Sequence, residues 1–244
     1  MDTFSDTRVH SPRNVVVLVT ENSVILDAAG PLQAFHEARS STCRPLYRTI
    51  VASPTGGGVR TDCGVSLMTS SIYELPVSEI DTLLVAGADD SLSALRDARL
   101  MAWLREARSH IRRIGSICIG AFLLAEAGLL DGGQAVTHWR WCSRFKSRFP
   151  HIPVQSDRIY LRHGNVWTSA GVTTGIDMSL AMIEQDCGKK VALDVARTLV
   201  VFMHRPGGQS QFSAVMAMER GDRGCRFDEL HSWIIDNIAK KIDI

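Results

Sequence analysis

Gly115-Ser116-Ile117-Cys118-Ile119-Gly120-Ala121-Phe122 passes from an apolar strand to an apolar helix through one tight turn, and its reading decides the fold. Ile111 to Ile117 reads as a buried strand, and Ala121 to Leu130 as a helix closed by Asp131-Gly132-Gly133. A cysteine at such a turn is a nucleophile elbow with a thiol where serine often stands. The turn lifts the side chain above the carboxyl ends of the strands, where ligands of open α/β sheets bind. The helix N-terminus beneath it offers free amides and positive dipole that favour a thiolate. Buried free cysteine is also a common core filler, so spacing alone leaves Cys118 two roles, functional thiol or inert one.

Working outward, the same alternation repeats on both sides of the elbow. Val15-Val16-Val17-Leu18-Val19 is a β-branched run of the kind buried on both faces of a parallel sheet, and is expected to lie centrally. Leu46 to Ala52 and Asp81 to Ala86 are further strands, the latter ending in Gly87. A helix starts near Asp27 or Pro31, and another covers Leu92 to His110. Ser53-Pro54-Thr55-Gly56-Gly57-Gly58 is a turn leading to a short strand at Val65 to Met68. Downstream, Gln134 to His138 predicts a short strand and Trp139 to Phe149 a helix. Tyr160-Leu161 and Val166 to Thr168 form a hairpin around His163-Gly164-Asn165. Helices over Thr174 to Asp186 and Lys189 to His204 are separated by Gly188. The pattern predicts a flavodoxin-like, doubly wound α/β fold: a mostly parallel sheet with helices on both faces.

Composition narrows the function classes. Lys and Arg exceed Asp and Glu by only one, which argues against a chain-wide nucleic-acid surface. The polar segment 1–13 is expected to be disordered and lacks the apolar stretch of a secretory signal. No apolar run reaches the roughly 20 residues of a membrane helix, so a cytoplasmic protein without membrane contact is expected. The six cysteines (Cys43, Cys63, Cys118, Cys142, Cys187, Cys225) are scattered with no C-x-x-C pair, so neither a zinc site nor a disulfide framework is expected. No cofactor is implied.

Five features in order make the chain resemble the ThiJ/PfpI superfamily, the class I glutamine amidotransferase-like fold. They are Asp27 after the first strand, Gly87 ending a later one, the Cys118 elbow, His138 in Ala135-Val136-Thr137-His138-Trp139, and Thr168-Ser169-Ala170-Gly171 before a helix. The resemblance implies that Cys118 is the reactive or ligand-facing thiol and Asp27 the acidic group hydrogen-bonded to it. On its residue type alone, Asp27 reads rather as a helix N-cap. The resemblance further implies that the amides of Ala88 and Ile119 form an anion-binding notch, with Gly87 permitting close approach. His138 would line the pocket, or else be a hydrogen-bonded histidine at a strand end. Members with a catalytic dyad carry His after the cysteine and isonitrile-hydratase-like members carry Thr, whereas Ile119 supplies neither. Gly87-Ala88 replaces the usual Gly-Gly, which requires a negative φ at Ala88.

Gly115 to Gly133, Thr137-His138-Trp139-Arg140-Trp141, Val166 to Asp177 and His204-Arg205-Pro206-Gly207-Gly208-Gln209-Ser210-Gln211-Phe212 more closely resemble the sensor domain of AraC-family transcriptional regulators. That resemblance implies a sensor domain over 14–204, and a linker with an interdomain helix over 205–244. The amphipathic stretch Asp228 to Lys241 is that helix, or alternatively an ordinary helix packed on the core. Residues 205–244 are too short and too weakly basic for two helix-turn-helix motifs, so DNA contact is expected only through a domain outside this chain. The resemblance also implies a homodimer and a small aminated metabolite as ligand, received by the Trp139 or Trp141 ring and the Asp27 carboxylate if they are not simply packing and capping. Two other readings stay open. One is a cysteine-dependent enzyme using Cys118 and Asp27 on an isonitrile, a glyoxal-type carbonyl or an amide. The other is an oxidation sensor at Cys118.

Overall fold

The computed structural model describes residues 11–88, 94–203, 208 and 209. In chain order the elements are β1 (Arg13–Leu18), α1 (Ile25–Glu37), β2 (Tyr47–Ser53), β3 (Gly57–Arg60), β4 (Ser66–Ser71) and β5 (Thr82–Val85). There follow α2 (Ala98–Ala107), β6 (Arg113–Ile117), α3 (Gly120–Glu126), α4 (Cys142–Arg148), β7 (Tyr160–His163), β8 (Val166–Ser169), α5 (Thr174–Cys187) and α6 (Lys189–Leu199). The strands form one eight-stranded sheet in the order β3-β4-β2-β1-β5-β6-β8-β7. Strands β2, β1, β5, β6 and β8 run parallel, while β3–β4 and β7–β8 are antiparallel hairpins at the two margins. This is the flavodoxin-like, doubly wound arrangement that the alternation predicts.

Side-chain burial explains the order. Val15, Val16 and Val17 have no exposed surface, as a strand covered on both faces requires, and β1 lies between β2 and β5. Helices α1, α5 and α6 pack on one another, and α2 packs on α3. Far from the carboxyl ends of the strands, a charge cluster ties α5 to the start of β6. Buried Arg113 donates to Asp186 at 2.6 Å, Arg112 forks onto Asp81 and Asp186, and Tyr47 donates to Asp186 at 2.8 Å. The Arg113 charge is thus compensated in a site where an unpaired one would be costly.

Several local expectations need correction. Gln134 to His138 is not a strand: Ala135 makes a lone bridge with Val154, and the Val136 N–H is taken by the Thr168 hydroxyl at 2.8 Å. Trp139 to Phe149 is a 3-10 turn over Trp139–Trp141 followed by α4. The stretch around Gly57 forms β3, and its partner β4 runs on to Ser71, beyond Met68. Helix α3 stops at Glu126, four residues short, and α6 at Leu199, where Val200 turns left-handed with φ 56°. Arg13 already belongs to β1, its N–H donating to the Leu46 carbonyl. The disorder expected over residues 1–10 and the helix expected over Asp228 to Lys241 fall outside the described residues. Among those described, no helix is long and apolar enough to cross a membrane, and no group of three or more His, Cys, Asp or Glu is placed to hold a metal.

Helix α2 opens at Ala98, where Asp97 caps it, its carboxylate accepting from the Leu100 N–H at 3.0 Å. Asp97→Ala is expected to cost about 1 kcal/mol, seen in urea as a lower midpoint with unchanged slope.

Candidate functional site

The elbow is held from every side by its backbone. Cys118 has φ 58°, a left-handed conformation uncommon for a residue with a Cβ, and persists there because neighbours fix both of its polar groups. Its N–H donates to the Ser169 carbonyl at 3.0 Å, continuing the β6–β8 pairing. Its carbonyl accepts from the Thr137 hydroxyl at 3.0 Å. Gly120 begins α3 where a Cβ would run into the Val85 carbonyl, so the helix sits directly against β5. Gly171, at φ 100°, gives the thiol its room: a Cβ there would lie 2.6 Å from the Cys118 Cα and 2.7 Å from its Sγ.

Asp27 reaches this point from the first turn of α1 and has no exposed surface. It is not the N-cap. That position belongs to Val24, and the Ile25 N–H is instead capped by Asp62 from the β3–β4 side at 3.0 Å. One Asp27 oxygen accepts from the Gly87 N–H at 3.1 Å, the other from the Val172 N–H at 2.6 Å, and the Cys118 thiol donates to the carboxylate as well. Burial is the larger influence and pushes the Asp27 pKa up to about 7 despite those donors, with the nearby Asp62 charge adding to the rise. Asp27 and Cys118 thus form a buried acid–thiol pair in which the carboxyl holds its proton near neutrality.

Gly87 and Ile119 join the pair. A Cβ on Gly87 would meet the Asp27 Oδ2 at 2.8 Å and the Ile119 nitrogen at 2.9 Å, so only glycine lets these groups converge. Ala88 is buried, bridges to Ser23 and is not among the residues of positive φ, which meets the condition set by the missing second glycine. Ile119 is buried against the same spot.

His138 and Trp139 stand further out, both half-buried. The His138 Nδ1 accepts from the Arg140 N–H at 3.4 Å, capping the 3-10 turn, and its ring lies 5.5 Å from that of Trp139. The chain's own guanidinium groups sit over both tryptophans: Arg140 over Trp139 at 5.5 Å and Arg144 over Trp141 at 5.2 Å. The Asp27 carboxylate is completely buried and already accepts from two backbone N–H groups. A cavity of about 500 Å³ is lined by Leu95, Arg96, Glu126, Arg144, Ser147 and Arg148, and includes none of the elbow residues. Its wall is charged, and the acid–thiol chemistry lies elsewhere.

Sequence reasoning missed Thr137, Gly171 and Val172 as parts of the site. Thr137 was passed over for its neighbour His138, and Gly171 read as a helix-preceding glycine. Val172 carried no signal, since a β-branched residue is poorly suited to its φ of 51°.

Residues 13–185 match the DJ-1/PfpI family. The HTH-type transcriptional regulator CdhR of Pseudomonas aeruginosa is 35% identical over 161 residues, 66% of this chain and 47% of that protein. The chain therefore spans less than half the length of CdhR. The HTH-type transcriptional regulator GlxA of Rhizobium meliloti is 30% identical over 240 residues, 98% of this chain and 70% of that protein. A ThiJ/PfpI family protein from Pseudomonas syringae superposes with a TM-score of 0.70 at 24% identity, covering 84% of this chain and 83% of its own. The elbow, its acidic partner and the glycines that admit them all fall inside the matched stretch, and the chain belongs to the DJ-1/PfpI family.

Proposed function

We propose that this chain is the small-molecule-sensing part of an AraC-type transcriptional regulator, with its ligand site at the Cys118 elbow. The observation that carries the reading is the extent of the likeness to GlxA, a named HTH-type regulator, which continues past the family match at residue 185 into the tail. The site supports it chemically. Cys118 is 5% exposed, Ile119 offers no proton-transfer group, and the thiol's polar partner is a carboxyl already engaged by two N–H groups. Such a pair senses occupancy through packing more readily than it turns over substrate. The ligand is a small aminated metabolite, met by the amides of Ala88 and Ile119, by His138 and by Trp139. DNA is contacted through a separate helix-turn-helix domain, and the regulator acts in the cytoplasm as a homodimer, without cofactor.

A second reading, a cysteine-dependent hydratase or hydrolase, is favoured by one observation: Asp27 holds a proton beside the thiol near neutral pH. A thermal-shift screen of amines and amino acids on the parent and on Cys118→Ala separates the two. Sensing predicts a rise of roughly 5–10 °C at ligand concentrations about 100-fold above Kd, retained in the variant, with no turnover by the parent. Turnover by the parent that disappears in Cys118→Ala would overturn the sensing reading.

A further inference from the structure

Gln209 is the feature that the Cys118 site does not by itself require. It lies in Arg205-Pro206-Gly207-Gly208-Gln209-Ser210, a run of chain breakers, yet is 3% exposed. Glutamine is seldom buried so fully, since ordering its side chain costs entropy and its amide must find partners. Here the backbone N–H of Gln209 donates to the Asp157 carbonyl at 2.7 Å. Its side-chain Nε2 donates to the carbonyls of Thr137 at 3.1 Å and Arg158 at 2.9 Å. Gly208 makes the approach possible, because a Cβ there would run into the Asp157 carbonyl.

Thr137 is the shared residue. Its carbonyl receives Gln209 while its hydroxyl holds the Cys118 carbonyl, so one residue separates the elbow from the segment that follows the core. The docked glutamine is only half satisfied: its Oε1 is buried without a hydrogen-bond partner among the described residues.

We propose that Gln209 is a positioning residue that couples the segment following the sensor core to the Cys118 elbow through Thr137. The proposal rests on the sensing function above and assigns its output: a change at Cys118 that shifts the elbow backbone releases Gln209, and release of Gln209 loosens the elbow. Linkage makes the coupling reciprocal, with the docking of Gln209 as the equilibrium that both ends bias.

The test needs no ligand and uses the full chain. Iodoacetamide serves as the probe, with peptide mass spectrometry reading each thiol separately and the half-buried Cys187 as internal reference. Gln209→Glu keeps the shape and removes the amide donors. The expected result is a rise of about fivefold or more in the ratio of Cys118 to Cys187 alkylation, the lower end of ordinary coupling. Conversely, in the parent protein, alkylating Cys118 is expected to speed hydrogen exchange in the peptide that contains Gln209. An unchanged thiol ratio in the variant, or unchanged exchange in the alkylated parent, overturns the proposal. A merely structural glutamine would raise both thiols together. If Gln209→Glu does not fold, the exchange measurement on the parent still decides. The outcomes also separate the two claims. Failure of every metabolite in the thermal-shift screen, with both coupled responses present, removes the sensing function and leaves the link. Metabolite binding without the coupled responses removes the link alone.

Discussion

Between pH 4 and pH 8 the wild-type protein is expected to lose about 4 kcal/mol of stability relative to an Asp27→Asn variant. The cause is the gap between the ordinary carboxyl value of 3.8 in the unfolded chain and the value of about 7 that burial imposes on Asp27. Within that window the folded state holds a proton that the unfolded state has released, so stability falls as pH rises. Below the window both states are protonated, and above it both are ionised, so the curve flattens at each end. The variant removes the titration but introduces a steady cost. Asparagine has one acceptor oxygen where Asp27 presents two, and either the Gly87 or the Val172 N–H is left facing an amide donor. That cost is about 1–3 kcal/mol at every pH. The variant should therefore be the less stable protein at pH 4 and the more stable one at pH 8, with the curves crossing between. Urea midpoints for both proteins across that range check it, and a difference independent of pH would show that Asp27 does not carry the proton.

Gly171→Ala is expected to destabilise the protein by about 3–5 kcal/mol. Two effects add. The alanine would occupy a φ of 100°, and its methyl group would fall within 2.7 Å of the Cys118 sulfur and closer still to its Cβ. Neither side can yield easily, because the elbow is fixed by Ser169 and Thr137 and the Gly171 N–H donates to the Thr174 hydroxyl at 2.7 Å. Gly132→Ala supplies the comparison, since Gly132 also has a positive φ, 72°, but nothing within 4 Å of its would-be Cβ. It should cost only about 1 kcal/mol. Similar losses in the two variants would mean that the contact at Cys118 is not tight.

These two residues show how far the chain can be read before it folds. Cys118 was legible because the turn at the end of a parallel strand is where such chemistry collects, whereas Asp27 entered through the family resemblance and by residue type alone reads as a helix cap. The contact that sets Asp27's proton affinity was not legible, because Val172 lies 145 residues away and meets it only once α1 packs on α5. Gly171 gave a correct local signal, a turn before a helix, with no hint that the space it leaves is filled by the sulfur. The expected strand at Gln134 failed for a related reason. Its amide at Val136 is claimed by a side chain of β8 rather than by a neighbouring backbone, a choice made by tertiary geometry and not by β-propensity. Gly57 and Gly58 likewise hid β3, whose extended form comes from pairing with β4.

The two hairpins at the margins of the sheet have a consequence for how this domain meets other molecules. A parallel sheet left open at its sides would offer long rows of unpaired amides and carbonyls to any extended chain. Here the outermost strands, β3 and β7, are four residues each, and β3 opens with two glycines. Such short borders give an incoming strand little to zip onto and protect the fold from growing sideways into aggregates. Among the described residues, helices and loops are therefore the broader surfaces, and the carboxyl edge around Cys118 lies away from these short borders.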